Sequence, residues 1–217
     1  MTVSRRFAVV PRALALLAAA AGGLAVLYVK DWQIANHAAA QGATQACPSS
    51  VAAAGRVAPL AKGEVAAMQV AKEPAPMPNV VFEAAGGAPK RLADYRGKTV
   101  LLNLWATWCI PCREEMPALD RLQRELGGEA FEVVALNIDT NRLERRQPFL
   151  DSIGVKSLAF YADPKAEVFQ ALRAAGKVEG LPTTWLIGKD GCEIGVMAAK
   201  ADWASPDAIA LVKAALP

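Results

Sequence analysis

The chain has 217 residues, which is enough for one compact domain with appendages but short for two full-sized domains. Lysine and arginine together number 24, and aspartate and glutamate 21, so the formal net charge is only +3. A charge this small and scattered does not suggest the basic footprint of a nucleic-acid-binding protein, so no nucleic-acid partner is expected.

The N-terminal residues 1–32 are predicted to form a short cytoplasmic tip and a membrane anchor. Three arginines precede an uncharged apolar run over residues 13–29, and a helix of that length spans roughly 25 Å, close to a bilayer core. Basic residues on the N-terminal side favour a cytoplasmic N-terminus, so everything after residue 32 would be extracytoplasmic. A cleaved signal peptide that ends at the small residues 38–40 is the alternative.

Residues 33–77 are predicted to form a helical extension and a linker. Pro48 suits the first turn of a helix, and the apolar residues that follow recur at mixed spacings of three and four. Pro59 and Gly63 interrupt this pattern, so we expect one broken helix or two short ones. The proline-rich segment "KEPAPMP" then leads into the main domain, which is predicted over residues 78–217.

In the main domain, predicted strands alternate with predicted helices. The domain starts with a short hairpin around Gly86-Gly87, and the first long strand, from Thr99, is a continuous apolar run of the kind that is buried on both faces. The later elements are a helix over about 111–126, a strand over 131–139, a helix over 142–154, a strand over 158–163, a helix over 164–176, a hairpin of strands 183–188 and 192–198, and a helix over 205–216. This order predicts an α/β fold with a mixed central sheet flanked by helices.

The stretch "WATWCIPCREEMP" at residues 105–117 holds two cysteines three positions apart. Cys109 follows a buried strand and begins a helix, where unsatisfied backbone N–H groups and the helix dipole favour a thiolate. Cys112 lies one turn later on the same face, so it can resolve a mixed disulfide formed at Cys109. The sequence therefore indicates a redox-active disulfide.

A zinc site and a structural disulfide are the two other interpretations of this pair. Zinc would need two more ligands, but the only histidine, His37, lies next to the predicted anchor, and Cys47 and Cys192 lack any paired spacing. A structural disulfide over so short a loop would constrain the unfolded chain only slightly. We therefore expect no metal, and no cofactor other than the redox-active Cys109–Cys112 disulfide.

Five segments carry, in chain order, a resemblance to a known protein family. They are "YRGKTVLLNLWATWCIPCREEMPALDRL", "FEVVALNID", "GLPTTWLI", "GCEI" and "ADWAS". They resemble the extracytoplasmic, TlpA-like family of thioredoxin-fold proteins, and the resemblance covers about residues 47–216. It implies a thioredoxin-like fold with an N-terminal hairpin and a helical extension, with Cys109 as the attacking thiolate and Cys112 as the resolving thiol.

The same resemblance implies a substrate-binding surface around the cysteine pair. Leu181, Pro182 and Thr183 match a loop in which a cis-proline faces the redox pair and receives an extended substrate segment. Pro182 is therefore expected to belong to the catalytic site, with Leu181 and Thr183 beside the substrate. The other expected substrate contacts are Trp108, Ile110 and Pro111.

One position departs from thioredoxin itself, which carries a buried aspartate six positions before its first cysteine. This chain has Asn103 there, and an amide cannot ionise. Glu115 follows Cys112 by three positions, near that cysteine's face of the helix, and it matches an acidic position in extracytoplasmic relatives that supports thiol proton transfer. We therefore expect Glu115 to be a catalytic residue, with a solvated helix glutamate as the alternative.

Cys47 and Cys192 remain as a second pair. In an oxidising compartment two leftover cysteines are more often bonded than free, and the family resemblance implies a structural disulfide between them. This bond would clamp the N-terminal extension to the last hairpin. Free thiols or an intermolecular bond are the alternatives.

These expectations combine into a thiol:disulfide oxidoreductase with a single span in the inner membrane and a C-terminal domain facing the periplasm. The resemblance implies that it reduces extracytoplasmic proteins during cytochrome or cytochrome-oxidase maturation, and that a membrane reductase supplies its electrons. We expect a monomer. A disulfide oxidase or isomerase is the enzymatic alternative. The non-enzymatic alternative is a copper chaperone on a related fold, which would be expected to carry Cys-x-x-x-Cys and a distant histidine.

Overall fold

The computed structural model describes residues 47–217. The predicted anchor over 13–29, the alternative cleavage site at 38–40 and His37 lie outside these residues. Within the described part of the chain, no helix is both long enough and apolar enough to span a membrane. The predicted domain boundaries after residues 32 and 77 stay predictions.

The described strands form one mixed sheet. They are β1 (Gln69–Val70), β2 (Val81–Ala84), β3 (Pro89–Arg91), β4 (Thr99–Trp105), β5 (Phe131–Asn137), β6 (Tyr161–Ala162), β7 (Thr183–Ile187) and β8 (Glu193–Met197). Their order across the sheet is β1, β8, β7, β4, β5, β6, β2, β3. The pairs β4–β5 and β5–β6 are parallel and the other pairs are antiparallel, which confirms the predicted mixed sheet.

β4 and β5 form the centre of the sheet because both are nearly continuous apolar runs. Every residue of β4 is buried, and in β5 only Glu132 is partly exposed. Strands that are apolar on both faces need cover on both faces, which the helices provide. The described residues contain five α-helices, α1 (Pro48–Val57), α2 (Ile110–Leu126), α3 (Arg146–Ser152), α4 (Glu167–Ala174) and α5 (Pro206–Ala215).

The predicted hairpins and the predicted last helix are present in the structure. β2 pairs with β3 around the Gly86-Gly87 turn, and β7 pairs with β8. α5 is capped as its sequence indicates, since Ser205 Oγ accepts a hydrogen bond from the Ala208 N–H at 3.2 Å and Pro206 occupies the first turn.

Three predicted elements are shorter than expected. The helix expected over 142–154 is α-helical only over Arg146–Ser152 and is preceded by a 3-10 turn, Leu143–Arg145. The strand expected over 158–163 comprises only the two residues of β6. The helix expected from Pro164 begins at Glu167, because the Asp163 carboxylate accepts a hydrogen bond from the Glu167 N–H at 2.9 Å and thereby sets the helix start. Proline favours a first helical turn, but here the side-chain cap determines where the helix begins.

The N-terminal extension is attached to the sheet at several points. Cys47, just before α1, forms a disulfide with Cys192, and their Cα atoms are 5.8 Å apart. Asp190, in the turn between β7 and β8, accepts a hydrogen bond from the Ser50 N–H in the first turn of α1 at 3.0 Å. β1, which the sequence did not predict, adds to the edge of the sheet beside β8. Residues 47–77 of the extension therefore pack as part of the same compact unit as the sheet.

Candidate active site

The cysteine pair lies where β4 leads into α2. Cys109 precedes the first turn of α2, and its Sγ accepts a hydrogen bond from the Cys112 N–H at 3.3 Å. The two sulfurs are bonded at 1.99 Å, with the Cα atoms 5.3 Å apart. Unpaired N–H groups and the helix dipole favour negative charge at this helix end, so a thiolate released at Cys109 would be stabilised.

Of the two cysteines, Cys109 is the one that a substrate can reach. Cys109 is 6% exposed, whereas Cys112 is fully buried. Trp108 and Ile110, on either side of Cys109, are each 67% exposed, although Trp105 at the end of β4 is buried. The outer cysteine is therefore flanked by apolar surface suited to a partner protein.

The predicted cis-proline is cis in the structure, at the Leu181–Pro182 peptide bond. Pro182 directly precedes β7, whose antiparallel register places Thr183 opposite Leu104 in β4. Thr183 Oγ1 donates a hydrogen bond to the Gly180 carbonyl at 2.7 Å, which holds the loop. Pro182 thus lies at the edge of the sheet from which β4 continues to the cysteine pair.

Glu115 is buried in a site formed by three hydrogen-bond donors. Its Oε1 accepts from Asn103 Nδ2 at 2.7 Å, and its Oε2 accepts from the Ala201 N–H and from Trp203 Nε1, each at 3.3 Å. The residue is only 2% exposed, so it is not the solvated helix glutamate of the alternative interpretation. All three donors are neutral, and they can hold a carboxylate without forming a direct ion pair.

Burial raises the pKa of Glu115 from 4.5 to about 7. Desolvation disfavours the carboxylate, while hydrogen bonds from Asn103, Ala201 and Trp203 and the charge of Lys200 partly offset this effect. A carboxyl group with a pKa near neutrality can both accept and release a proton at physiological pH. It lies one helical turn after Cys112, as a residue three positions along a helix does.

A surface pocket of about 360 Å³ adjoins Glu115. Two ion pairs between α2 and the segment 198–205 flank it, one between Lys200 and Glu114, the other between Arg121 Nη2 and Asp202 Oδ1 at 3.4 Å. Glu115 lines the pocket, whereas neither cysteine does. Glu115 therefore borders a surface pocket that the cysteine pair does not line.

Several residues that shape the site were not predicted as functional. The Asp139 carboxylate accepts a hydrogen bond from the Thr107 N–H at 3.1 Å and so supports the loop before Cys109. Trp203 and Ala201 belong to the segment "ADWAS", for which the sequence predicts no functional role. A tryptophan in a short polar segment ahead of a helix was a possible signal of a functional residue. Glu115, which accepts its hydrogen bond, lies 88 residues away in sequence.

The structure brings the cysteine pair, Trp108, Ile110, Pro111 and the 181–183 loop to one edge of the sheet, with Glu115 just behind. The Cys47–Cys192 disulfide lies at the other end of β7 from Pro182, because Cys192 follows the turn after that strand. It is therefore separate from the site. The catalytic and substrate-binding roles of the individual residues stay predictions.

Comparison with known proteins identifies a matching family and similar proteins. The model of the Redoxin family matches residues 71–209. The thiol-disulfide oxidoreductase ResA of Bacillus subtilis (strain 168) is 33% identical over 120 residues, which are 55% of this chain and 64% of that protein. This chain thus matches slightly less than two thirds of that relative's length.

Two solved structures show the same thioredoxin-like fold. A thioredoxin-family thiol:disulfide interchange protein from Chlorobium tepidum TLS is 26% identical with a TM-score of 0.55, covering 67% of this chain and 98% of that one. A DsbF homologue from Corynebacterium diphtheriae is 27% identical with a TM-score of 0.55, covering 68% and 90%. The family match extends over well over half of the chain and includes the cysteine pair, the cis-proline loop and Glu115, so this protein belongs to the redoxin family.

Proposed function

We propose that this protein is a thiol:disulfide oxidoreductase that acts mainly as a reductase of protein disulfides. The observation that carries the proposal is the Cys109–Cys112 disulfide at the N-terminus of α2, with Cys109 flanked by the exposed Trp108 and Ile110. The redoxin family match and the names of the relatives, a thiol-disulfide oxidoreductase and a thiol:disulfide interchange protein, support it.

The reaction needs no cofactor beyond the cysteine pair. In the dithiol form, the Cys109 thiolate attacks one sulfur of a substrate disulfide, forms a mixed disulfide and releases the other substrate sulfur as a thiolate. Cys112 then gives up its proton and attacks Cys109 Sγ, which releases the second substrate thiolate and closes the enzyme disulfide. Two electrons pass to the substrate, whose two thiolates each take up a proton.

Glu115 is the proposed acceptor of the Cys112 proton. Its position one turn after Cys112 and its pKa of about 7 suit this transfer at neutral pH. Pro182 and its neighbours Leu181 and Thr183 are proposed to bind an extended substrate segment. Trp108, Ile110 and Pro111 would contact the same segment from the other side of Cys109.

The proposed setting is the periplasmic face of the inner membrane. The apolar run over residues 13–29 would serve as a single-pass anchor, as in the TlpA-like group. The relatives named ResA support the choice of an oxidoreductase family. The proposed substrates are extracytoplasmic proteins whose cysteines must be reduced for haem or copper uptake in cytochrome or cytochrome-oxidase maturation. A membrane reductase would return two electrons and two protons to the monomeric enzyme.

Trapping of the mixed disulfide tests the proposed reaction. Cys112→Ser in the full-length chain should stall the substrate on Cys109, and the captured proteins should be released by dithiothreitol. The matched control is Cys109→Ser with Cys112→Ser, which should capture nothing. Equal recovery of proteins by the two variants would contradict the proposal.

The reduction potential distinguishes a reductase from an oxidase or isomerase. A reductant such as thioredoxin has a potential of about −270 mV and a strong periplasmic oxidant about −120 mV. Equilibration of the Cys109–Cys112 pair with glutathione buffers should give a value near the thioredoxin end of this range. A value near the oxidant end would reverse the assigned direction.

Membrane extraction tests the anchor. The full-length chain should stay in the membrane pellet after a detergent-free carbonate wash, because an apolar span is held by the bilayer core. Release of a shortened protein into the supernatant would instead indicate cleavage near residues 38–40.

A further inference from the structure

One side of the redox pair, the side towards β5, has no role in the proposed reaction. β4 lies between β7 and β5 in the sheet, and Pro182 belongs to the β7 flank. The segment 138–146 follows the C-terminal end of β5 and belongs to the opposite flank. The hydrogen bond from the Thr107 N–H to Asp139 holds this segment against the loop that carries Cys109.

Four arginines lie on this flank and are called here the arginine face: Arg113, Arg142, Arg145 and Arg146. Arg113 lies at the start of α2, and its guanidinium carbon is 5.0 Å from the centre of the Phe149 ring in α3. The Phe149 ring lies 5.8 Å from the Trp105 ring at the end of β4. α3 and the residues just before it therefore adjoin the beginning of α2, next to the cysteine pair.

The arginine face carries charge that nearby acids do not neutralise. None of its four guanidinium groups has a carboxylate at ion-pair distance within residues 47–217. Segment 138–146 contains three of the arginines and two acids, Asp139 and Glu144, so together with Arg113 its formal net charge is +2. The net charge of this flank is therefore clearly positive.

Three of these arginines are available to a partner, and the fourth is held in place. Arg113, Arg142 and Arg145 are exposed. Arg146 is half-buried, with its Nε donating to the Leu143 carbonyl at 2.9 Å and its Nη1 without a hydrogen-bond partner among the described residues. The fixed charge of Arg146 adds to the field that the exposed arginines present to solvent.

We infer that the arginine face docks an acidic segment of the protein substrate beside the reacting disulfide. The inference rests on the proposed reductase function and adds a specificity that this function does not require. Guanidinium groups form paired hydrogen bonds with carboxylates, and a concentrated positive field accelerates the approach of an acidic partner. Apolar contact with Trp108 and Ile110 would then hold the cysteine-containing segment of the substrate in place. The arginines would select substrates that carry acidic residues next to that segment.

An anionic membrane surface is the other polyanion that such a face could bind. The position of the face favours a protein segment, because Arg113 lies one helical turn after Cys109, whose carbonyl accepts a hydrogen bond from the Arg113 N–H at 3.1 Å, and α3 packs against Arg113 through Phe149. A bilayer seated on the arginines would cover the same edge of the sheet. Binding to lipid is therefore treated as an outcome that contradicts the inference.

A set of three disulfide peptides tests the inference directly. The peptides share one cysteine pair and differ only in flanking residues, which are aspartate and glutamate, serine and glutamine, or lysine. Single-turnover oxidation of the reduced full-length chain is followed for each. At low ionic strength the acidic peptide should react about tenfold faster than the neutral one, and added salt should remove most of that advantage.

Charge-reversal variants then test whether the arginine face causes the faster reaction of the acidic peptide. Arg142→Asp with Arg145→Glu should reduce the ratio of the acidic to the neutral rate from about ten towards one. Aspartate is chosen at residue 142 because the backbone there has a φ of 54°, a left-handed conformation that aspartate tolerates. The matched control, Lys72→Glu with Arg91→Glu, changes the same number of exposed charges near the two outer edges of the sheet and should keep the ratio near ten. Thermal unfolding of each variant verifies that it is folded.

Each contrary result has a distinct meaning. Equal rates for the acidic and neutral peptides in the unchanged protein, or an equal fall of the ratio in both charge-reversed variants, would overturn the arginine face as a docking site. Loss of a preference for phosphatidylserine over phosphatidylcholine vesicles in the Arg142 and Arg145 variant, with the peptide rates unaltered, would assign the face to a membrane instead. If none of the peptides were reduced, the proposed function itself would fail along with the inference.

Discussion

Asn103 Nδ2 lies 2.7 Å from Glu115 Oε1, and both residues are buried. This contact joins the centre of β4 to the helix that carries the cysteines. The acid of this site is thus supplied by α2, and the strand position that is an aspartate in thioredoxin supplies an amide that donates to it. The amide also donates to Thr184 Oγ1 at 2.9 Å, which fixes its orientation.

Replacement of Asn103 by leucine should raise the pKa of Glu115. A hydrogen bond to a charged group is worth about 1.5 to 3 kcal/mol, and its loss would leave desolvation less opposed. We expect the pKa to rise by about 1 to 2 above its value of about 7. Infrared difference spectra of the carboxyl stretch against pH measure this change directly.

Thr184→Val provides the control for this substitution, because it keeps the Asn103 amide and its hydrogen bond to Glu115. We expect the pKa of Glu115 to change much less in this variant than in Asn103→Leu. The pH at which Cys112 becomes able to resolve a mixed disulfide should follow the same order. An unchanged carboxyl titration in Asn103→Leu would show that this amide does not support the carboxylate.

The pH dependence of stability should reveal the burial of Glu115. Its pKa is higher in the folded state, about 7, than the 4.5 of the free group, so the folded state binds this proton more tightly. The resulting stabilisation is fully present below about pH 4.5 and is lost as the pH rises through about 7. Over that range, the unfolding free energy should fall by about 3 kcal/mol more than in Glu115→Gln.

Urea unfolding of both proteins between about pH 4 and pH 8 measures this difference, since the remaining acids titrate equally in the two chains. Parallel curves for Glu115 and its glutamine variant would mean that the carboxyl group is not desolvated in the folded protein. Such a result would also remove the support that burial gives to the proposed proton acceptor.

The fold could be predicted largely because β4, β5 and α2 each carry a continuous local pattern. A fully apolar run such as Thr99–Trp105 indicates a buried strand, and Ser205 followed by Pro206 marks a helix start. β1 could not be predicted, because a two-residue strand has no periodicity and exists only through its pairing with β8.

The candidate site was predictable to the extent that its residues are close in sequence. Cys109, Cys112 and Glu115 lie within one segment, so helix geometry relates them. The environment of Glu115 was not predictable, since its donors Ala201 and Trp203 lie 86 and 88 residues away. The arginine face was not predictable for the same reason, because only the packing of α3 brings Arg142, Arg145 and Arg146 next to Arg113 in α2.

Removal of the Cys47–Cys192 disulfide should destabilise the protein strongly. The bond closes a loop of 145 positions, so in the chain-entropy model Cys47→Ala with Cys192→Ala should lower the unfolding free energy by about 4 to 5 kcal/mol. Cys109→Ala with Cys112→Ala is the matched control, and it should cost much less because that loop spans only 3 positions. Denaturant unfolding of the two double variants gives the comparison, and equal losses would contradict the expectation.

Gly188→Ala should weaken the attachment of α1 to the β7–β8 turn. A Cβ atom at residue 188 would overlap Ser50 Oγ, a buried hydroxyl whose single O–H is shared between Asp190 Oδ1 and the Cys192 carbonyl. Relief of this clash would break those bonds, and we expect a cost of about 1 to 3 kcal/mol. Ser50→Ala removes the obstructing oxygen, so Gly188→Ala should cost clearly less in that background than in the unchanged chain. Unfolding free energies of the four proteins in this cycle test the coupling, and strictly additive losses would show that the hydroxyl does not confine residue 188.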